Sequence, residues 1–145
     1  MLDNLLYKIF YFIYQGFYTF DGPEKTRIIL CKKLFPKWAA AQTLGNNIFV
    51  NYLYDPKVYF PHEYVHVLQY RKYGIFFFVI YALDSLKQLL IGKHYYYDNI
   101  FEVEAREGFE NLKYAFDDFD WPALPNYNEI SQKAHRRSGG MNANK

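Results

Sequence analysis

The chain has 145 residues, the size of one compact domain, and a formal charge of +2, which offers no basic field for nucleic acid. Its lone Cys31 excludes an internal disulfide and a cysteine-based metal cluster. Aromatic residues make up 22% of the chain, with 16 Tyr and 14 Phe, which points to a ring-rich core or an aromatic face that meets a partner or a bilayer surface.

Residues 2–18 predict an amphipathic helix. Leu2, Leu5, Leu6, Ile9, Phe10, Ile13 and Phe17 share one face; Tyr7, Tyr11, Tyr14 and Tyr18 occupy the other. Such an aromatic second face suits a protein partner or a membrane surface. Asp3 stands where a secretory leader carries basic residues, and no small-residue cleavage site follows. The most apolar run, Ile75 to Leu83, meets Asp84 and Lys87 before bilayer length. A soluble or peripherally attached protein, cytoplasmic by default, is the expectation.

"DGPEK", with Asp21 as cap and Pro23 near the first turn, predicts a second helix that runs to Phe35 and ends at Pro36. Asn47 to Tyr52 reads as a strand, closed by Asp55-Pro56. Pro61 then opens a helix to Gly74. A further helix from Ile75 to Ile91, apolar all round at Phe76–Ile80, is expected to be centrally buried. "GKHYYYDN" is a loop, and Asp98 or Asn99 caps a helix from Phe101 to Phe116. From Asp117 onward the chain reads as irregular, with a disordered tail.

The chemistry concentrates in "PHEYVHVLQYRKYG". Residues four apart lie one turn above each other on a helix, so His62 and His66 can reach one metal ion. Glu63, about 100° round the helix, can approach a water on that ion while staying outside its ligand set. Zinc held by two imidazoles and a carboxylate keeps a fourth position for water and lowers the water's pKa, and a neighbouring carboxylate can accept the proton. A histidine six residues after His66 would complete one such set, but Lys72 stands there. The third ligand is therefore sought in "NIFEVEAREGFE", with Glu102, Glu104, Glu107 and Glu110, or at His94. Gln69 shares the face of His62 and His66. His94 and Tyr95 to Tyr97 are candidate donors to an oxyanion.

These motifs resemble a minimal gluzincin, a zinc metallopeptidase domain whose third ligand is a glutamate on a later helix. The Glu-x-x-Ala pattern of that class matches "EVEA", Glu102 to Ala105, and "TLGNNIFVN" resembles the strand before the motif helix. The resemblance covers about residues 39–110. It implies His62, His66 and Glu102 as zinc ligands, with Glu104 as rival, and Glu63 as general base. It also implies a peptide or protein substrate lying as an extended strand along Asn47–Asn51, with His94, Tyr97 and Asn47 as further contacts. Arg106 stands where related peptidases often carry an aspartate that steadies a ligand histidine.

The expected fold is α+β and mostly helical: a zincin-like single domain over 1–116, with a short sheet and the HExxH helix packed on two further helices. Residues 1–38 form N-terminal helices, residues 39–116 contain the gluzincin-like region, and residues 117–145 form the irregular tail. The competing expectation is a catalytically silent scaffold or assembly subunit, in which a metal serves structure alone.

Overall fold

The computed structural model describes residues 1–125. Its elements run α1 (Leu2–Ile13), β1 (Gly16–Gly22), β2 (Thr26–Cys31), β3 (Ala41–Leu44), β4 (Asn47–Asn51), α2 (Pro56–Tyr73), α3 (Phe76–Leu90) and α4 (Ile100–Leu112). The four strands form one mixed sheet in the order β1-β2-β4-β3, with β2 and β4 parallel and both outer pairs antiparallel. The architecture is α+β, as expected.

The predicted helix at Asp21–Phe35 is a strand. Pro23 does start a helical turn, but only Pro23–Lys25 follow it, and Glu24 and Lys25 take positive φ to turn the chain back. Beyond them, Arg27 to Cys31 is rich in β-branched residues and alternates faces with period two. Ile28 and Leu30 point to one side with Ile48 and Val50, where Phe60, Tyr64 and Val67 of α2 cover them. Ile29 and Cys31 point to the other side with Phe49, under Tyr14 of the chain that follows α1. The sheet is thus buried on both faces.

Helix α1 stops at Ile13 rather than continuing to 18, because Gln15 takes a left-handed φ of 54° and the β-formers Phe17 to Phe20 join the sheet. Its orientation also reverses the expectation. Tyr7, Phe10, Tyr11 and Tyr14 pack on the sheet, while Leu5, Ile9, Phe12 and Ile13 face outward. The aromatic face is therefore engaged within the chain.

Helix α2 begins one turn earlier than predicted. Asp55 accepts a hydrogen bond from the Lys57 amide, Pro56 occupies the first turn, and Pro61 lies inside the helix. Asn99 caps α4 as expected, accepting from the Phe101 amide at 2.9 Å. At the crossing of α4 with α2, a Cβ on Gly108 would sit 2.8 Å from Val65 Cγ2, so the absence of a side chain lets the helices approach. Helix α3 is not central: apart from Phe77 and Gln88, its residues are half-buried or exposed.

Residues 113–125 are irregular, yet not idle. Trp121 stacks edge-on against Phe20 and Phe60, and Leu124 packs on the same core. The expectation of irregular chain from Asp117 agrees with residues 117–125, which nonetheless pack on the core; the rest of the tail lies outside the described residues.

Candidate metal centre

Helical spacing puts His62 and His66 on one face of α2, with ring centroids 5.1 Å apart. Glu102 comes to them from the first turn of α4. That turn is anchored on α3, where Asp84 accepts from the Ile100 amide at 2.8 Å and Asn99 donates to the Tyr81 carbonyl and the Ser85 hydroxyl. Oε2 of Glu102 then lies 3.2 Å from His62 Nε2 and 3.2 Å from His66 Nε2. Among the described residues these three side chains form the one group of His, Cys, Asp or Glu whose ligand atoms lie within 4.8 Å of one another. It is a triad able to hold a metal ion.

The hydrogen bonds around the triad fix the proton on His66. Gln69 directs its amide nitrogen at two acceptors, the Phe101 carbonyl (3.2 Å) and the Glu104 carboxylate (3.3 Å). Its oxygen must therefore face His66 Nδ1, 2.8 Å away, and that nitrogen carries the hydrogen. In the neutral imidazole the lone pair then sits on Nε2, aimed at a carboxylate oxygen 3.2 Å away. Two acceptors cannot face each other in a buried site without a cation between them, either a proton or a metal ion. The separations fit either: 3.2 Å is a hydrogen-bond distance, and it is also close to the roughly 3.3–3.4 Å between ligand atoms on a tetrahedral metal ion with bonds of about 2.0–2.1 Å.

The electrostatics follow the same contacts. Burial opposes a charge on His66, but the hydrogen bond and charge of Glu102 outweigh it, and the pKa is raised to about 9. Burial also opposes ionisation of Glu102, but hydrogen bonds from His62, His66 and Tyr81 hold its carboxyl well below the usual range. Tyr81 donates to Glu102 Oε1 at 2.8 Å. Burial and the charge of Glu102 push the phenols of Tyr81 and Tyr96 far up, so both stay protonated and remain donors.

Glu63 is 5% exposed and is held by an edge-strand residue: the Thr43 hydroxyl lies 2.5 Å from its Oε2. Glu63, Thr43, His66 and Glu102 line a cavity of about 240 Å³, walled by Trp38, Phe77 and Tyr96 among others. A second cavity of about 600 Å³ carries His62, Glu63, Tyr96 and Tyr97 on its wall. Glu63 and Tyr96 belong to both.

The chain matches no family model, no curated protein and no solved structure. Its function is therefore argued from its own residues.

Several expected contacts are elsewhere. Glu104 does not join the triad; its carboxylate receives the Gln69 amide instead. Asn47 is buried and donates to the carbonyls of Asp3 and Leu44, away from the cavities. His94 is exposed, its Nδ1 accepting from the amides of Tyr96 and Tyr97, so it closes its own turn. Tyr97 reaches only the larger cavity. Strand β4, expected as the free edge, is flanked by β2 and β3; the free edge beside the cavity is β3. Arg106 donates to the Tyr97 carbonyl and does not touch a histidine, while the steadying position that it leaves open belongs to Gln69. Tyr81 and Thr43 were not anticipated. Tyr81 carries a faint signal, since it stands one turn after Phe77 on the same face of α3; Thr43 carries none, because only sheet pairing brings it to Glu63.

Proposed function

We propose that the protein is a zinc-dependent peptidase of the gluzincin kind. The observation that carries this reading is Glu102 within 3.2 Å of both Nε2 atoms, with Gln69 leaving the His66 lone pair directed at that point. Zinc held by His62, His66 and Glu102 would supply a Lewis acid for a carbonyl oxygen and bring a water's pKa towards neutrality.

The chain's own residues do the rest. Glu63, outside the ligand set, takes the proton from the attacking water and passes it to the departing amine nitrogen. The Thr43 hydroxyl fixes the rotamer of that carboxylate. The Tyr96 phenol, protonated and facing Glu102 and Glu63, donates to the oxygen of the attacked carbonyl as it gains charge. An extended peptide adds to the free side of β3, Ala41–Leu44, which lines the same cavity as Glu63. The absence of a fourth His, Cys, Asp or Glu from the triad, among the described residues, favours an open position over a closed structural site.

The test is Glu63→Gln. Zinc content should match the parent, while cleavage of an unstructured protein such as casein should fall about 10²- to 10⁴-fold. Equal cleavage by the two proteins would end the assignment.

A further inference from the structure

Helix α3 is turned inside out. Its polar residues Asp84, Ser85 and Gln88 face inward, where Asp84 caps α4 and Ser85 receives Asn99. Its apolar residues face out: Phe76 is 67% exposed, Leu83 61% and Leu90 78%, with Val79, Leu86 and Leu89 beside them. At 100° per residue, the outward positions from 75 to 90 span about half the helix circumference and include one charge, Lys87. A helix with water on that side would bury the leucines and expose the polar residues. Helix α1 repeats the inversion with Leu5, Ile9, Phe12 and Ile13.

We infer that the outward face of α3 docks onto an anionic bilayer surface. The rim decides between a membrane and a second copy of the chain. Lys72 and Tyr73 stand before the helix, and Lys93, Tyr95 and Tyr97 stand after it, all exposed. That is the basic and aromatic border of a helix lying at headgroup level. Between residues 75 and 90 the outward side presents Lys87 and no acid, since Asp84 turns inward to the Ile100 amide, so a second copy stacked on this face would set lysine against lysine. Lys87, amid leucines, has a stem long enough to lift its ammonium to phosphates. Among the described residues no single helix is long and apolar enough to cross a membrane; α2 and α3 pass that test only as a pair bent by 114°, and α2 is packed on the sheet through Phe60, Tyr64 and Val67, which leaves α3 to lie along the surface. Its inner face carries Phe77 and Tyr81 of the smaller cavity, which brings the candidate site close to the bilayer.

The docking does not depend on the metal, and the experiment separates the two. The full chain is floated with vesicles of phosphatidylcholine alone or with a third phosphatidylglycerol, in zinc and in EDTA. The protein should float with the anionic vesicles in both media. Leu83→Glu with Leu86→Glu should weaken binding at least tenfold with an unchanged circular dichroism spectrum, since both side chains are exposed. Lys87→Glu and Lys93→Glu should each weaken it about fivefold or more on anionic vesicles only. The proposal is overturned if the parent stays unbound, or if the leucine substitutions leave flotation unchanged. It is equally overturned if the parent is a dimer in solution that does not float and that those substitutions dissociate.

Discussion

Helices α2 and α3 are consecutive, yet they sort their side chains in opposite ways. Helix α2 buries Glu63, His66 and Gln69, and every one of these polar groups has a partner: Thr43, Glu102, and the Phe101 carbonyl with Glu104. Helix α3 turns its polar residues towards α4 and leaves its leucines outside. In this chain a polar residue goes where a partner waits for it, and hydropathy alone predicts neither helix. A buried polar network of this kind is stable only when complete, so it should break sharply, whereas the exposed face of α3 should tolerate change.

The largest expected effect comes from Glu102→Ala. Removing the carboxylate shared by His62 and His66 should abolish stoichiometric zinc binding in equilibrium dialysis, whereas Glu104→Ala should retain it. The reverse outcome would transfer the third ligand to Glu104.

Next is Gln69→Leu, which removes the acceptor that holds the hydrogen on His66 Nδ1. Zinc affinity, measured by chelator competition, should fall about 10- to 100-fold with the ligands intact. Affinity within a factor of two of the parent would mean that Gln69 only fills space.

Acidity sharpens the same point. His66, with its pKa raised to about 9, must lose a proton to bind a metal. Zinc affinity should thus rise about tenfold per pH unit on approaching 9 and flatten above it, with proton release visible as buffer-dependent binding heat. The sign for stability is opposite. In protein stripped of metal, the raised pKa stabilises the fold below His66's ordinary value, and that contribution is lost as pH rises through 9.

Two smaller effects probe packing. Gly108→Ala drives a methyl to 2.8 Å from Val65 Cγ2, a stiff neighbour, and should cost about 1–3 kcal/mol in urea unfolding. Leu86→Gln on the outward face of α3 should change stability by no more than about 0.5 kcal/mol. A large loss there would mean that Leu86 is packed after all.

How much of this was legible from the sequence depends on the range of each interaction. His62, Glu63 and His66 are legible because their relation is local, fixed by one helical turn. Glu102 follows from the Glu-x-x-Ala pattern and the expected return of a later helix. Thr43 and the role of Gln69 are not legible, and Tyr81 only faintly so, since each depends on a partner 20 or more residues away that only tertiary structure supplies. At β2 the helix-start signal of Asp21–Pro23 accounts for one turn only, and the β-branched alternation after it sets the strand. The outward faces of α1 and α3 reversed expectation because apolar periodicity marks a stripe without saying whether protein or lipid covers it.

The most direct test of the central claim is the ¹⁵N spectrum of the histidine side chains on titration with zinc. Nε2 of both His62 and His66 should move to metal-bound values at one equivalent, His66 Nδ1 should stay protonated, and His94 should not respond. Unchanged Nε2 resonances for His62 and His66 would mean that the two imidazoles and Glu102 share protons alone, and that no metal centre exists.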